Sequence, residues 1–254
     1  MKKVDTIIIS GAGDGLGKAL AIECAKKYKV ICISKSKNVF QTLDMIKDIS
    51  PNSKAYQCDI SELEETSETL SKLNLSNQNC AFLLCAGQLG EQGGILSSDL
   101  SNWSKVYQTN VIGNINIVKC FLNNIKETKF SKIFFFAGGG SAYGYPIFSS
   151  YSLSKTAVVR AAENLHLELE NLGEIISLAI APGALKTKML DKVLEAGAEI
   201  KTTVPIDETV NFVIKLLEKD IKKLSGKFIH VRDDIDDFLI NDYKDDLWKL
   251  RRNE

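Results

Sequence analysis

The sequence predicts an α/β fold in which a doubly wound parallel sheet of seven strands carries helices on both faces. Seven short runs rich in β-branched and aromatic residues alternate with stretches of helical periodicity along the 254 residues. The apolar character of the runs is nearly continuous, which is typical of parallel strands covered on both faces. This alternation of strand and helix indicates a doubly wound sheet.

Each predicted element follows from a local pattern. Apolar runs bounded by polar or turn residues predict strands at 6–9, 30–34, 54–58, 80–85, 132–137, 175–181 and 227–231. Helical periodicity predicts helices at 15–27, 38–49, 61–74, 101–126, 151–172 and 207–219. Residues 184–206 show no obvious periodicity, and we expect them to form a substrate loop. The tail, 232–254, is expected either to be solvated or to clasp a neighbouring subunit.

The composition indicates one domain over residues 1–254. Hydrophobic residues make up 44% and charged residues 25%, close to the globular average, and no linker rich in proline, glycine or serine divides the chain. Lys+Arg and Asp+Glu are both 32, so no basic surplus favours nucleic acid or an anionic membrane as a partner. A small-molecule substrate is expected instead.

The start of the chain and its cysteines indicate in which cellular compartment we expect the protein. The first apolar run is interrupted by Asp5 and stops at Ser10, which predicts neither a signal peptide nor a membrane span. The six cysteines form no C-x-x-C pair and have no histidine at ligand spacing. We therefore expect reduced thiols in a cytoplasmic protein and no metal site.

A glycine-rich turn follows the first strand and leads into good helix formers. Glycines allow a tight turn and a close approach to a pyrophosphate, which the amides and dipole of the helix start then bind. Position 16 is leucine, so the common G-x-G-x-x-G pattern is not met. The spacing is S-G-x-x-x-G-x-G, with Gly11, Gly15 and Gly17.

Tyr151 and Lys155 are four residues apart and therefore share one face of a predicted helix. An ammonium beside a phenol favours the phenolate, which would lower the phenol pKa from about 10 toward the working pH. A tyrosine that acts as an acid or base needs such a pKa. On its own, such a pair is common and is more often an ordinary surface contact.

Taken together, the glycine turn and the Tyr-x-x-x-Lys pair resemble the short-chain dehydrogenase/reductase family, whose fold is Rossmann-like. The resemblance spans residues 6–231. It implies that Tyr151 exchanges a proton with the substrate oxygen, and that Lys155 lowers the tyrosine pKa and holds the nicotinamide ribose. Asn110 resembles the family asparagine that carries a water to the lysine.

The resemblance also implies the cofactor contacts. Pro182, Gly183 and Thr187 match a P-G-x-x-x-T segment beside the nicotinamide, with Thr187 at the carboxamide, and Asp59 matches an adenine-side aspartate. The implied set is Gly11, Gly13, Gly15, Leu16, Gly17, Ser34, Lys35, Asp59, Ile60, Ala86, Gly87, Tyr151, Lys155, Pro182, Gly183 and Thr187. Cys85 stands where the family has an asparagine, a mild change in a stretch that mostly packs through its backbone.

The sequence departs from the family pattern thirteen residues before Tyr151. Most members have a serine there that orients the substrate carbonyl, but this chain has Gly138. Either Ser141 substitutes for it by bending inward, or Tyr151 orients the substrate alone.

The coenzyme preference depends on the end of the second strand. NAD-preferring members place an acidic residue there, whereas this chain has Ser34 and Lys35, which favours NADP over NAD. Asp14 stands where NADP-preferring relatives often carry a basic residue, and it opposes this preference.

The expected function is NAD(P)-dependent hydride transfer between the nicotinamide and a ketone or secondary alcohol, by a homodimer or homotetramer formed through the Tyr151 and Asn110 helices. Tyr143, Tyr145 and Phe148 indicate a partly apolar substrate pocket. One alternative is a non-catalytic NAD(P)-binding regulator or interaction protein. Another is a nucleotide-sugar dehydratase or epimerase, for which the chain is short.

Overall fold

The structure, a computed structural model, describes residues 3–75, 78–124, 130–169, 174–241, 243–244 and 246–251. Its strands are β1 (Thr6–Ser10), β2 (Lys29–Ser34), β3 (Lys54–Gln57), β4 (Cys80–Leu84), β5 (Ser131–Phe136), β6 (Ile175–Ala181), β7 (Ala184–Leu185), β8 (Thr203–Val204) and β9 (Phe228–His230). Its helices are α1 (Gly15–Cys24), α2 (Asn38–Ile46), α3 (Leu63–Ser71), α4 (Leu100–Tyr107), α5 (Asn114–Asn124), α6 (Ser149–Leu169), α7 (Lys188–Glu195), α8 (Ile206–Glu218) and α9 (Ile235–Ile240).

Within the described residues the central sheet has seven strands in the order β3-β2-β1-β4-β5-β6-β9, and every neighbouring pair is parallel. The predicted fold class is therefore confirmed. Strand β1 lies between β2 and β4, with Ile8 paired to Ile31 on one side and Phe82 on the other. The order reverses at β1 and β4, and ligands of such sheets bind at the carboxyl ends of the strands at that point.

Two apolar layers cover the sheet because its strands present buried side chains to both faces. One layer packs against α1, α2 and α8, and the other against α3, α5 and α6. Phe82 of β4 is fully buried, and its ring centroid lies 4.3 Å from that of Phe121 on α5. No helix in the described part of the chain has the length and apolar character needed to cross a bilayer.

One lysine lies inside the core. Lys132, near the start of β5, is 1% exposed, and its ammonium donates to the carbonyls of Leu216, Leu217 and Lys219 at 2.8, 2.8 and 2.7 Å. These carbonyls belong to the last turn of α8, where helix carbonyls have no intrahelical partner. Burial lowers the pKa of Lys132 to about 8. The lysine therefore joins the carboxyl end of α8 to the sheet.

The segment 184–206, which is expected to form a substrate loop, contains regular secondary structure. Strands β7 and β8 form a small parallel pair, and helix α7 lies between them. Leu190 and Val193 are the buried residues of α7. Eight residues are too few for helical periodicity to emerge from the sequence, since the pattern needs a window of 11–18 residues.

The described part of the tail packs on its own chain and is therefore not simply solvated. Helix α9 is capped by Asp234, whose carboxylate accepts from the amides of Asp236 and Asp237. The ring of Trp248 stacks on Phe238 with centroids 4.6 Å apart. Tail residues 242, 245 and 252–254 lie outside the described residues.

The predicted helix at 101–126 is interrupted. Residues Gln108–Gly113 form a π-helical segment between α4 and α5, and the end of the prediction, 125–126, lies outside the described residues. Such segments are frequent at functional sites. The predicted helix at 151–172 begins earlier, at Ser149, and its residues 170–172 are also outside the described residues.

Candidate active site

Helix α6 places Tyr151 and Lys155 in its first two turns, at the carboxyl edge of the sheet. Tyr151 is 8% exposed and Lys155 is buried. The Lys155 ammonium donates to the carbonyl of Phe136 at 2.8 Å and lies 5.7 Å from the centroid of the Tyr151 ring. The spacing predicted from the sequence therefore brings the two side chains together.

The protonation of this pair differs from the expectation. Burial raises the pKa of the Tyr151 phenol above its usual value, and burial lowers the pKa of Lys155 to about 8. Both shifts have the same cause, because the apolar surroundings disfavour the charged forms. Burial therefore favours the neutral phenol and opposes the lowering of its pKa that Lys155 is expected to cause.

Asn110 lies in the π-helical segment and is fully buried. Its amide donates to the carbonyl of Gln88 and to the hydroxyl of Ser154, both at 2.9 Å, and its oxygen accepts from the amide of Gln88 at 2.7 Å. A Cβ added to Gly87 would stand 3.3 Å from both Lys155 Nζ and Asn110 Oδ1. The side chains of Asn110 and Lys155 therefore lie together beside the backbone of Gly87.

Asn114 is a site residue that the sequence reasoning missed. Its amide donates to the carbonyls of Asn110 at 2.8 Å and Ala86 at 3.2 Å, and its oxygen accepts from the hydroxyl of Ser10 at 3.3 Å. Ser10 in turn accepts from the amide of Ala86 at 3.1 Å. The available signal was a second asparagine four residues after Asn110, since that spacing shares a helix face.

Gly138, which replaces the family serine, lies against the Tyr151 hydroxyl. A Cβ at Gly138 would stand 3.1 Å from Tyr151 Cζ and would overlap the hydroxyl oxygen. Ser141 is buried; its hydroxyl donates to the carbonyl of Gly138 at 2.7 Å and accepts from its amide at 3.0 Å. Ser141 therefore closes a backbone turn, and of the two alternatives the geometry favours orientation by Tyr151 alone.

The glycine turn fits a pyrophosphate. Gly11 has a φ of 68°, and a Cβ there would stand 2.8 Å from Cα of Ala86. A Cβ at Gly17 would overlap the carbonyl oxygen of Gly11, so both positions require glycine. The turn ends at Gly15, the first residue of α1, and Leu16 follows. First-turn amides of a helix have no intrahelical partner and are available to an anion.

Asp14 lies at the same helix start. Its carboxylate accepts from the amide of Gly15 at 2.8 Å and pairs with the ammonium of Lys188 on α7 at 2.8 Å. The hydrogen bond from Lys188 is the largest cause that lowers the pKa of Asp14, and the same contact raises the pKa of Lys188. Sequence reasoning did not select Lys188.

The predicted adenosine end of the site holds Ser34, Lys35 and Asp59. A Cβ at Gly13 would stand 3.0 Å from Ser34 Oγ, which places this serine beside the turn. Lys35 pairs with Asp59 at 2.6 Å, and its side chain is 80% exposed. Burial acts to raise the pKa of Asp59, but hydrogen bonds from Lys35 and Ser61 outweigh it, so that pKa is lowered.

The other predicted cofactor residues lie around the same edge. Pro182 accepts from the hydroxyl of Thr209 at 3.0 Å, and Gly183 has a φ of 76°. The methyl of Thr187 lies 3.8 Å from where a Cβ on Gly15 would stand, so Thr187 reaches the glycine turn. Ile60 is buried and packs against Gly113, where a Cβ would stand 2.7 Å from Ile60 Cγ1.

Tyr151 belongs to a small apolar cluster. Its buried members are Leu89, Phe148, Tyr151, Leu190 and Val193. A cavity of about 230 Å³ lies beside it, lined by Leu89, Gly90, Gln92, Phe148, Lys192, Glu195 and Ala196. Of the aromatic residues expected here, Phe148 and Tyr145 join the cluster, whereas Tyr143 is 67% exposed.

In the described ranges, no three His, Cys, Asp or Glu side chains converge in a way that could hold a metal ion.

The order of the sheet and the glycine turn at its point of reversal define a doubly wound nucleotide-binding fold. The profile of the short chain dehydrogenase family matches residues 5–198. The chain therefore belongs to the short-chain dehydrogenase/reductase family, as its motifs indicate.

Two relatives and one solved structure illustrate the similarity. The chain is 25% identical to a 3-oxoacyl-(acyl-carrier-protein) reductase of Aggregatibacter actinomycetemcomitans, over 82% of this chain and 84% of that protein. It is 23% identical to a farnesol dehydrogenase of Aedes aegypti, over 87% of this chain and 96% of that protein. A short-chain dehydrogenase of Escherichia coli CFT073 complexed with NADPH has the same fold, with a TM-score of 0.81 and 18% identity over 91% of this chain and 98% of that one.

Proposed function

We propose that this protein is an NAD(P)-dependent oxidoreductase that transfers a hydride between the nicotinamide and a ketone or secondary alcohol. The observation that carries the proposal is the convergence of Tyr151, Lys155 and Asn110 at the carboxyl edge of the sheet, beside the glycine at position 87. When bound, the nicotinamide cofactor supplies the hydride donor or acceptor. The side chains of this protein supply the proton and the orientation.

In this proposal Tyr151 is the acid and base. Because burial keeps the phenol neutral, Tyr151 holds its proton until negative charge develops on a carbonyl oxygen beside it, which then receives the proton. Lys155 stands near enough to the ring to stabilise the phenolate that remains. Asn110, fixed by Gln88 and Ser154, holds the relay that returns a proton to the site. The neutral phenol favours reduction of a ketone at neutral pH.

We propose NADP as the cofactor. Lys35 is exposed at the end of β2, and its pairing with Asp59 leaves an ammonium at the adenosine end of the site, where a 2′-phosphate would bind. Gly11, Gly15 and Gly17 would hold the pyrophosphate. The NADPH complex of the Escherichia coli protein, which shares this fold, supports the same choice.

The proposed substrate has an apolar body attached to the reacting carbon. Leu89, Phe148 and Leu190 pack with Tyr151 in one apolar cluster, and Leu89 and Phe148 also line the cavity beside it. Burial of apolar surface against these side chains contributes roughly 25 cal/mol per Å². The two relatives act, by their names, on a 3-oxoacyl chain and on farnesol, and both names denote apolar chains.

We further propose a homodimer or homotetramer in the cytoplasm. Ile112, Ile115 and Leu153 are large apolar residues at least a third exposed. They lie on the segment of Asn110, on α5 and on the helix of Tyr151, respectively. Exposed apolar residues on neighbouring helices favour an interface. The six cysteines are free thiols, which supports a reducing compartment.

The test is NADPH oxidation with a panel of apolar ketones, comparing the wild type with Tyr151→Phe. We expect the variant to lose about a thousandfold in kcat while it still binds NADPH. Tyr143→Phe is the matched control, because this tyrosine is exposed and outside the apolar cluster. Full turnover by Tyr151→Phe would contradict the role of this residue. NADPH binding without turnover of any ketone by the wild type would instead favour the non-catalytic regulator.

A further inference from the structure

Lys188 and Asp14 form an ion pair that joins the start of α7 to the glycine turn. Lys188 is the first residue of α7, and Asp14 immediately precedes α1, 174 residues away in the sequence. The ammonium and carboxylate are 2.8 Å apart, and their side chains are 79% and 60% exposed. An exposed pair of this kind is weak and is easily exchanged for a stronger partner.

The carboxylate of Asp14 occupies a position that a pyrophosphate needs. It accepts from the amide of Gly15, the first amide of α1, at 2.8 Å. The proposed function places the pyrophosphate at the same helix start, because the free amides and the helix dipole favour an anion there. Two anions cannot share that amide, so Asp14 must release it when the cofactor binds. The ammonium of Lys188, no longer paired with Asp14, would then face the pyrophosphate.

We propose that Lys188 is a ligand of the cofactor's pyrophosphate, and that it exchanges the Asp14 carboxylate for the phosphate oxygens when the cofactor binds. The inference rests on the proposed function. Thr187, the residue before Lys188, already has its methyl 3.8 Å from the position of a Cβ on Gly15. The start of α7 therefore lies against the glycine turn, and a change of rotamer brings the ammonium to the pyrophosphate. A doubly charged pyrophosphate is a better partner for an ammonium than an exposed carboxylate.

The exchange of partners by Lys188 would also link the cofactor site to the apolar cluster beside Tyr151. Helix α7 carries Leu190 and Val193, which pack in the apolar cluster beside Tyr151. A Lys188 contact to the pyrophosphate fixes the amino end of this helix to the cofactor.

The test is a double-mutant cycle measured by calorimetric titration with NADPH. The proteins are the wild type, Lys188→Met, Asp14→Asn and the double variant. The side-chain oxygen that Asp14→Asn retains can still accept from the amide of Gly15, so the helix cap is kept. The matched control is Lys186→Met, which removes the same charge from an exposed position two residues earlier.

We expect Lys188→Met to weaken NADPH binding about tenfold or more in both the wild-type and the Asp14→Asn background, because a charge-assisted bond to phosphate is lost in each. Asp14→Asn alone binds as tightly as the wild type or more tightly, and Lys186→Met binds like the wild type. Tighter binding of NADPH by Lys188→Met would overturn the proposal, because the Lys188–Asp14 pair would then oppose cofactor binding. Wild-type affinity in the double variant would overturn it too, because Lys188 would only neutralise Asp14. If the wild type itself binds neither NADPH nor NADH, the proposed function fails instead.

Discussion

The backbone of Gly138 occupies the space beside the Tyr151 hydroxyl that a side chain would need. A Cβ at Gly138 would stand 3.1 Å from Tyr151 Cζ and nearer still to the hydroxyl oxygen. The phenol of Tyr151 can therefore occupy its position only because residue 138 has no side chain. The serine that most relatives have at this position cannot be added here without moving the tyrosine.

Substitution of Gly138 should lower activity. We expect Gly138→Ala and Gly138→Ser to reduce kcat/KM by about a hundredfold, because a displacement of about 1 Å at a reacting group has that effect. Ketone reduction with NADPH measures it. Gly144→Ala is the control, since a Cβ there meets nothing within 4 Å. An active Gly138→Ser variant would mean that the hydroxyl of Tyr151 can move aside and keep working.

Cofactor affinity should depend on the protonation of Lys155. Burial lowers the pKa of Lys155 to about 8 in the free chain, and the proposed contact with the ribose favours its charged form. Binding must therefore raise this pKa and take up a proton above about pH 8, so the affinity falls by up to about tenfold per pH unit there. Calorimetry at about pH 7 and about pH 9 measures the change. The same affinity at both pH values, or an equal change in Lys155→Met, would exclude Lys155 as the titrating group.

Lys35 should set the preference for NADPH. We expect Lys35→Met to weaken NADPH binding about tenfold and to leave NADH binding unchanged, because only NADPH has the 2′-phosphate that pairs with the ammonium. Lys37→Met removes an equally exposed charge two residues away and should change neither affinity. Equal losses of affinity for NADPH and NADH in Lys35→Met would show that the Lys35–Asp59 pair stabilises the site but does not bind the 2′-phosphate.

Glu163 should hold the tail to the catalytic helix. Its side chain is 7% exposed and pairs with Arg160 and Arg251, and the hydrogen bond from Arg251 is the largest cause that lowers its pKa. We expect Glu163→Gln to reduce the free energy of unfolding by about 1–2 kcal/mol at neutral pH, measured by urea denaturation. Glu168→Gln, exposed on the same helix, should have little effect.

The sign of the pH dependence follows from the direction of that pKa shift. The folded-state pKa of Glu163 is below the value of 4.5 for a free glutamate, so its stabilisation is present above about pH 4.5 and is lost as the pH falls through the folded value. The difference in unfolding free energy between the wild type and Glu163→Gln should therefore shrink on acidification. A constant difference down to about pH 3 would assign the effect to packing.

The sequence was sufficient for features that depend on neighbouring residues. All seven strands of the sheet were predicted. Strands buried on both faces require continuous apolar runs, and only the edge strand β3, whose residues are partly exposed, lacks one. The spacing of Gly11, Gly15 and Gly17 and that of Tyr151 and Lys155 are likewise local. The amphipathic pattern of α7 is also local, but it is too short to recognise.

Features that depend on tertiary contact were not predictable from one sequence. Asp14 and Lys188 meet from distant parts of the chain, and nothing in either segment indicates the other. In the sequence, Lys132 is an ordinary polar residue at the end of a predicted strand. Only the fold brings the carbonyls of Leu216, Leu217 and Lys219 to its ammonium. The raised pKa of Tyr151 was missed for the same reason, because burial, which is the largest cause, is a property of the fold.

The π-helical segment at Gln108–Gly113 makes the site sensitive to the number of residues in the chain as well as to their identity. Its wider turn lets Asn110 reach Gln88 and Ser154 while Asn114 reaches Ala86. Removal of Val111 or Ile112, which lie between the two asparagines, would let the segment form an ordinary α-helical turn and shorten the spacing between Asn110 and Asn114. Only one of the two asparagines could then keep its partners. A single-codon deletion here would thus separate Asn110, the proposed relay residue, from the hydrogen bond between Asn114 and Ala86, although every residue singled out by sequence reasoning would still be present.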